Sequence, residues 1–309
     1  MKFSVVIPAY KKTYLKECID SVLAQTFTDF EVVIVNDASP ENIGGIVKEY
    51  KDSRIRYYVN NKNCGAVNVV DNWNICLKYA KGEYIICMGD DDCLKPNCLD
   101  EYDRLIKKYP NLKVYHAWAE YIDENSNVYA IQSPRPEFEG CMSLLWNRWH
   151  GRRQFIGDFC YETNELRINN GFYKLPLAWA SDDITAVRAA YPNGIANTSK
   201  ICFQYRRNRY TISTIGSAKL KAEAIEEEKR WYVLFLEKVC ERYNTVEPES
   251  IFFKMILEEI DSHFSTKIYD TLLMESIKGK IDVLQLIKLS RKYGLSIKDI
   301  FKLVVHIWY

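Results

Sequence analysis

The sequence predicts an α/β fold: a mostly parallel sheet with helices on both faces, followed by a helical C-terminal region. Over the first hundred residues, short apolar runs alternate with segments whose apolar residues recur at helical spacing. Strands that are separated by helices of this length form βαβ units, whose strands run parallel. After about residue 216 only the helical pattern is found, beginning with "KLKAEAIEEEKRWYVLFLEKVCERY".

The elements follow one another along the chain in a regular order. The predicted strands are 3–10, 30–37, 54–60, 83–89, 113–123 and 195–208. The predicted helices of the same region are 14–25, 40–51, 68–80, 97–109, 162–168 and 181–191. The first helix, for example, repeats apolar residues such as Leu15, Ile19 and Val22 on one face. Residues 133–160 are expected to be irregular, and we place a domain boundary near residue 215.

Composition limits the classes of protein to consider. The chain has 309 residues, is 48% hydrophobic and carries a net charge of +1, so no whole-chain field favours nucleic acid or membrane. Its ten cysteines include no C-x-x-C pair, and we expect reduced thiols rather than a zinc site or disulfides. No apolar run approaches the roughly 18–20 residues that span a bilayer. The opening "FSVVIPAY" is too short for a signal peptide, and we expect a cytoplasmic protein.

An acidic triplet follows the fourth predicted strand, in "ICMGDDDCLKP" (86–96). Asp90, Asp91 and Asp92 come directly after a run that reads as a buried strand, and Pro96 suits the first turn of a helix. Open α/β sheets bind their ligands at the carboxyl ends of their strands. Carboxylates crowded there repel one another, and a divalent cation relieves that repulsion. A metal site is therefore favoured over an acidic surface turn, which is the alternative.

Further polar residues are expected at the same edge of the sheet. The second strand ends in "VND" at Asp37, and Asp182 and Asp183 open a later helix. Such an edge can receive a nucleotide, with Asp37 bonding the base or ribose and a metal next to the diphosphate. The alternatives are helix caps: Asp37 for the helix after Pro40, and the acidic pair for its own helix.

At this point the chain resembles the family-2 glycosyltransferases that have the GT-A fold. The matching stretches are "VVIPAYKKTYLKECIDSVLAQTFTDFEVVIVNDASP", "NWNICLKYAKGEYIICMGDDDCLKP" and, more weakly, "NNGFYKLPLAWASDD". The resemblance implies inverting, usually metal-dependent transfer of a sugar from a nucleotide donor. It also divides residues 1–215 into a nucleotide-sugar half, about 1–110, and an acceptor half, about 111–215, with 216–309 as the helical region.

The resemblance implies a role for each matching position. The residues implied to bind the nucleotide sugar are Pro8, Ala9, Tyr10, Asp37, Asn74, Asp90, Arg206 and Arg209. The first three would frame the nucleobase, commonly uracil, and the arginines would hold the diphosphate unless they only form a solvated basic loop. Metal ligands would be Asp91, Asp92 and Asn208, where Asn208 replaces a histidine common in the family and is a weaker ligand. Asp183 would be the catalytic base, with Asp182 as the alternative.

Two further segments have less specific interpretations. The acceptor is expected to meet Trp146, Trp149, Arg152 and Arg153, within the basic aromatic segment "WNRWHGRR", although packing is as good an explanation of the tryptophans. Near the C-terminus, apolar residues fall on one helical face among many lysines: Ile297, Ile300, Phe301, Val304 and Trp308. This pattern suits either peripheral membrane contact or ordinary packing.

The sequence thus predicts an enzyme that moves one sugar from a nucleoside-diphosphate sugar, expected to be a UDP-sugar, to a hydroxyl of a glycan or lipid-linked glycan. We expect Mn²⁺ or Mg²⁺ as the cofactor, no nucleic-acid partner and, by analogy, a place in bacterial surface polysaccharide synthesis. One alternative is a nucleotidyltransferase, which normally has a glycine-rich loop where this chain has "PAYKKTYLK". A glycan- or nucleotide-binding protein without activity is the other, and it would not need Asp37 together with the triplet.

Overall fold

The computed structural model of the protein describes residues 1–208 and 216–308. Its strands are β1 (Phe3–Ala9), β2 (Phe30–Asn36), β3 (Ile55–Val59), β4 (Tyr84–Cys87), β5 (Cys93–Leu94), β6 (Val114–Ile122), β7 (Val128–Ile131), β8 (Phe138–Glu139), β9 (Phe159–Glu162) and β10 (Ile195–Arg206). Its α-helices are α1 (Leu15–Leu23), α2 (Ile43–Lys48), α3 (Val69–Tyr79), α4 (Cys98–Lys108), α5 (Cys141–Trp149), α6 (Thr163–Ile168), α7 (Ser181–Ala190), α8 (Ala218–Val239), α9 (Pro248–Ile277), α10 (Val283–Lys292) and α11 (Ile297–Trp308).

The strands form one ten-stranded sheet in the order β3-β2-β1-β4-β9-β6-β10-β5, with β7 beside β6 and β8 beside β10. The four strands at one side, β3, β2, β1 and β4, are parallel, as expected. Every residue of β2 is buried, which requires cover on both faces of the sheet. The α/β fold is confirmed, and the carboxyl ends of β1, β2 and β4 meet at one edge.

The expectation that residues 133–160 are irregular is wrong. This segment forms β8 and α5, and β9 begins at its end. Helix α5 buries Cys141, Met142, Leu144 and Leu145 on one face, which is the physical reason that it is stable. Strand β9 runs antiparallel to both β4 and β6, and so joins the parallel strands to the second half of the sheet.

The chain divides into two compact units, of which the first holds the sheet and α1–α7. The second unit contains α8–α11 with the short segments 66–68 and 175–180. Buried aromatic and aliphatic side chains such as Tyr232, Phe264 and Leu272 form its core. Of the described helices, none is both long enough and apolar enough to cross a bilayer. The boundary near residue 215 stays a prediction.

A buried carboxylate stabilises the start of β1 and β2. Glu31 accepts hydrogen bonds from Ser4 Oγ and Lys81 N at 2.6 Å each, and Arg56 Nη1 lies 2.6 Å from its other oxygen. Burial alone would raise the pKa of Glu31, but the bonds from Ser4, Arg56 and Lys81 outweigh it and lower that pKa below its ordinary value. The network therefore favours the charged form of Glu31.

We expect Glu31→Gln to lower the free energy of unfolding by about 2 kcal/mol at pH 7, because a charge-assisted network is lost. The folded-state pKa lies below the unfolded value of about 4.3, so the contribution is complete above that pH and disappears as pH falls through the folded pKa. Urea unfolding at pH 7 and at lower pH measures this, with the exposed Glu49→Gln as control. An equal loss at both pH values would contradict the network.

Candidate active site

The segment that follows β1 is bonded directly to the acidic triplet. Asp90 Oδ2 accepts the backbone N–H groups of Tyr10 and Lys11, both at 2.7 Å. This contact is possible because β1 and β4 are parallel neighbours whose carboxyl ends lie side by side. Two segments 80 residues apart in sequence are thereby joined at the edge where such sheets bind ligands.

The other two carboxylates of the triplet are bonded to the end of β10. Asp92 Oδ1 accepts the N–H of Arg206 at 2.9 Å, and Asp91 Oδ2 accepts Asn208 Nδ2 at 2.5 Å. The structure thus brings Asn208 to the predicted metal ligands. Arg209, which was predicted to hold the diphosphate, lies outside the described residues.

The triplet resists ionisation because it is buried and crowded. Burial, with the charge of Asp91, raises the pKa of Asp90 to about 6. Burial also raises the pKa of Asp91, against the hydrogen bond from Asn208, and burial with the Asp91 charge raises the pKa of Asp92 well above its ordinary value. Such a site favours a nearby cation, which offsets both effects.

Within residues 1–208 and 216–308, no three His, Cys, Asp or Glu side chains converge as ligands of one metal ion. The partners of the triplet are consistent with this, since Asp90 is bonded to the segment after β1, whereas Asp91 and Asp92 are bonded to the end of β10. A Mg²⁺-type ion in a phosphate site usually needs only one or two protein carboxylates, with the rest supplied by phosphates and water. The oxygen donors present fit an ion of that kind.

A cavity of about 240 Å³ opens beside the triplet. It is lined by Lys11, Thr13, Tyr14, Asp90, Asp91, Glu124 and Asn208. The sequence analysis missed four of these residues. Lys11 was within reach of sequence reasoning, because it directly follows the β1 segment, whereas Glu124 belongs to the turn after β6 and gave no signal. The cavity combines carboxylates with an ammonium group.

Arg206 is completely buried, and its guanidinium is committed to protein partners. Nε donates to the carbonyl of Asp91 at 2.7 Å, and Nη1 donates to the carbonyl of Asp123 and to Ser126 Oγ. Nη2 lies 2.8 Å from a carboxylate oxygen of Glu17 on α1. Because every nitrogen of the side chain is engaged, the geometry favours a positioning role for Arg206 over the predicted contact with a diphosphate.

Asp37 is buried at the end of β2. Its Oδ1 accepts Asn60 Nδ2 at 2.8 Å and the N–H of Cys64 at 3.0 Å. The helix-cap alternative for Asp37 is wrong, because Asn42 caps α2 through a bond from Gly45 N. The carboxylate is therefore held at the sheet edge by the loop that follows β3.

The remaining residues predicted for the nucleotide sugar divide into two groups. Pro8 and Ala9 end β1, and Tyr10 follows them with an exposed ring. Asn74 on α3 is bonded both ways to the backbone of Phe172, accepting its N–H at 2.8 Å and donating to its carbonyl at 3.2 Å. The amide of Asn74 thus holds the loop at Phe172 against α3.

The predicted catalytic pair begins α7. Two donors converge on Asp183 Oδ1: Arg148 Nε at 2.6 Å and Gln154 Nε2 at 2.9 Å. Asp183 is 2% exposed. Burial, with the charge of Asp183, raises the pKa of Asp182 to about 8. The two carboxyl groups therefore differ. Asp183 is oriented by an ion pair with Arg148, whereas burial and the charge of Asp183 favour the protonated form of Asp182.

Tyr205 on β10 is close enough to both the acidic pair and the triplet to be affected by their charges. Burial raises the pKa of Tyr205, and the charges of Asp92, Asp91 and Asp182 raise it further. Its ring stacks on Phe155 with a centroid distance of 3.6 Å. The two acidic groups that the sequence placed separately are thus within electrostatic reach of one phenol.

The predicted acceptor residues lie on or just after α5. The ring of Trp146 stacks on His150, and Trp149 is half-buried. Arg152 Nη1 donates to Glu139 at 2.6 Å, while Arg153 is exposed. The same helix supplies Arg148 to Asp183, a link that the sequence analysis missed because the two residues are 35 positions apart.

Comparisons with known proteins point to one family. The family model described as glycosyl transferase family 2 matches residues 4–166. An uncharacterised glycosyltransferase of Rickettsia typhi is 33% identical over 133 residues, 42% of this chain and 40% of that protein. The glycosyltransferase GlyG of Streptococcus pneumoniae is 30% identical over 129 residues, 41% of this chain and 42% of that protein. The chain therefore spans about two fifths of the length of these relatives.

Solved structures share the fold. Residues 1–349 of S. aureus TarS, in complex with UDP-GlcNAc, match at a TM-score of 0.64 and 18% identity, over 100% of this chain and 91% of that one. The mannosyltransferase PcManGT of Pyrobaculum calidifontis, in complex with GDP-Man and Mn²⁺, matches at 0.53 and 14% identity, over 99% and 84%. These likenesses confirm the expected GT-A-type fold.

We expect Arg206→Met to lower the free energy of unfolding by about 2 kcal/mol, because it leaves the part-buried carbonyl groups of Asp91 and Asp123 and the carboxylate of Glu17 without their donor. Urea unfolding followed by circular dichroism measures the loss. Arg207→Met is the matched control, since Arg207 is the neighbouring residue with an exposed side chain. Equal stabilities of the two variants would contradict the positioning role.

Proposed function

The chain belongs to glycosyl transferase family 2, and from this membership and the acidic site we propose that it transfers one sugar from a nucleoside-diphosphate sugar to an acceptor hydroxyl. One observation carries the proposal: the triplet is bonded to the segment after β1 at the same sheet edge that holds Asp37. The reaction would be a direct displacement that inverts the anomeric carbon, and UDP is the proposed leaving group.

The donor would lie along the edge formed by β1, β2 and β4. Asp37 would accept from the nucleobase beside Pro8, Ala9 and Tyr10, and Asp90 would meet the ribose or the sugar. Asn74 would support this pocket through its bonds to the loop at Phe172. The structures of TarS with UDP-GlcNAc and of PcManGT with GDP-Man support a nucleotide sugar as the donor class.

Asp91, Asp92 and Asn208 would hold a divalent ion, Mn²⁺ or Mg²⁺. When bound, such an ion neutralises the charge that develops on the leaving diphosphate. Lys11 lines the same cavity and would supply a fixed cation to the diphosphate. This assignment gives Lys11 the role that the sequence analysis gave to Arg206, whose guanidinium is engaged elsewhere.

Asp183 would take the proton of the attacking hydroxyl. A general base must be held in a fixed orientation, and the two donors on Asp183 Oδ1 provide this. Asp182, with a pKa near 8, is mostly protonated at pH 7 and is less able to accept a proton there. Asp182 would instead keep a neutral carboxyl next to Asp183, whose N–H donates to Asp182 Oδ1 at 3.0 Å.

The acceptor would be a glycan or lipid-linked glycan of bacterial surface polysaccharide synthesis, bound at α5. Trp149 and Trp146 would offer ring faces to it, and Arg152 and Arg153 would offer donors. The enzyme would work on the cytoplasmic side, and a lipid-linked acceptor would bring the reaction to the inner face of the membrane.

The proposed function is tested by incubating the full chain with a panel of nucleotide sugars and Mn²⁺ and measuring nucleotide release. Release of UDP is expected. Pyrophosphate release would instead identify a nucleotidyltransferase, and tight glycan binding without any release would identify a binding protein.

We expect Asp91→Ala to lose Mn²⁺-dependent UDP binding in calorimetry while its circular dichroism stays native, because the cavity loses its proposed metal ligand. Glu124→Gln, which removes a carboxylate from another part of the same cavity, is the control and should keep metal-dependent binding. Undiminished Mn²⁺-dependent binding by Asp91→Ala would remove the metal assignment.

We expect Asp183→Asn to cut transfer at least a hundredfold, about 2.7 kcal/mol of barrier, and to leave donor binding within about threefold. Asp182→Asn, the matched control, should be milder. Turnover with a released-UDP assay and donor affinity by calorimetry measure the two effects. The reverse ranking would exchange the roles of the pair, and full turnover by both variants would place the base elsewhere.

A further inference from the structure

Helix α11 turns apolar side chains toward solvent. Ile297 is 88% exposed and Phe301, one turn later, is 69% exposed, whereas Leu303 on the opposite side is fully buried. Ile300 and Val304 are half-buried, and the side chain of Trp308 lies outside the described residues. Packing within the unit therefore uses the Leu303 side and leaves the Ile297–Phe301 side uncovered.

Basic residues surround this apolar face. Lys298 and Lys302 are exposed on α11, and Lys288 and Arg291 are exposed on α10, which contacts α11. Leu284 on α10 adds another apolar side chain that is 80% exposed. The exposed surface of these two helices thus combines cations with apolar groups.

The acidic residues of this segment offset those cations only in part: Asp299 Oδ1 lies 3.8 Å from Lys302 Nζ, and the side chain of Lys302 stays 50% exposed. Residues 282–308 contain two, Asp282 and Asp299, against five lysines and arginines. Asp282 caps α10 by accepting Gln285 N at 2.7 Å, and Asp299 accepts Ser296 Oγ at 2.6 Å. Both carboxylates are engaged at helix starts, and the net charge of the surface is positive.

We propose that α10 and α11 bind the surface of a bilayer that contains anionic lipid. The side chains of Ile297 and Phe301 would enter the boundary between headgroups and acyl chains, and Lys298 and Lys302 would meet lipid phosphates. A second copy of the chain fits less well. An interface between two identical basic faces would place like charges against each other.

This surface belongs to the second unit, and its proposed function does not depend on the proposed sugar transfer. It would keep the enzyme next to a lipid-linked acceptor if that acceptor is the substrate. Vesicle binding and nucleotide release therefore report on the two proposals independently.

Co-sedimentation of the full chain with vesicles tests the inference. We expect binding to mixed phosphatidylglycerol–phosphatidylcholine vesicles, weaker binding to phosphatidylcholine alone, and a decrease with added salt. The double variant Ile297→Ser/Phe301→Ser should bind about tenfold more weakly, since it removes the inserted apolar groups. Lys298→Glu/Lys302→Glu should lose the preference for anionic lipid.

Val246→Ser is the matched control, because Val246 is 92% exposed and lies between α8 and α9. It should bind vesicles as the unchanged protein does, and circular dichroism and thermal unfolding should be the same for all variants. Equal vesicle binding by the Ile297/Phe301 variant, or no binding by the unchanged chain, would overturn the proposal. If sedimentation velocity showed dimers of the unchanged chain that the Ile297/Phe301 variant no longer forms, and no vesicle binding were seen, the face would be assigned to self-association instead.

Discussion

The rest of the site depends on one constraint: three carboxylates are packed into one buried turn, and the surrounding contacts hold them there. Asp90, Asp91 and Asp92 have raised pKa values because water is excluded and the charges face one another. They are bonded by two segments that are distant in sequence: the one after β1 bonds Asp90, and the end of β10 bonds Asp91 and Asp92. Long-range contacts therefore keep the acidic groups together, which is expected where a cation is to be bound.

Local pattern predicted the parallel half of the sheet because β1, β2 and β4 are almost wholly buried apolar runs, and the helices between the strands repeat apolar residues at a period of 3.6 residues. It failed for α5 and β9. Basic and aromatic residues, together with prolines at 134 and 136, obscured the short apolar face of α5. Strand β9 has only four residues, and its pairing with β4 and β6 comes from tertiary contacts that no local window contains.

The residues of the site show the same difference between what local sequence predicts and what depends on tertiary contacts. The triplet and Asp37 were predictable because each follows its own strand directly. The partners of Arg206 were not predictable from the sequence, because a long guanidinium side chain can reach groups from any part of the chain. Arg206 occupies a position at which the family resemblance implies contact with the diphosphate. Its side-chain nitrogens instead bind Asp91, Asp123 and Glu17. Motif position identified an important residue but did not determine what the residue contacts.

Helix α5 and the segment after it also determine the orientation of the proposed base. Arg148 lies on α5, Gln154 follows that helix, and both donate to Asp183 Oδ1 on α7. Movement of α5 would therefore change the geometry of the base, because both donors move with one segment. In the proposed reaction, the helix that carries the proposed acceptor tryptophans would thus also position the carboxylate that takes the proton. A substrate that fits α5 well would hold the base in place, whereas a poor fit would loosen it.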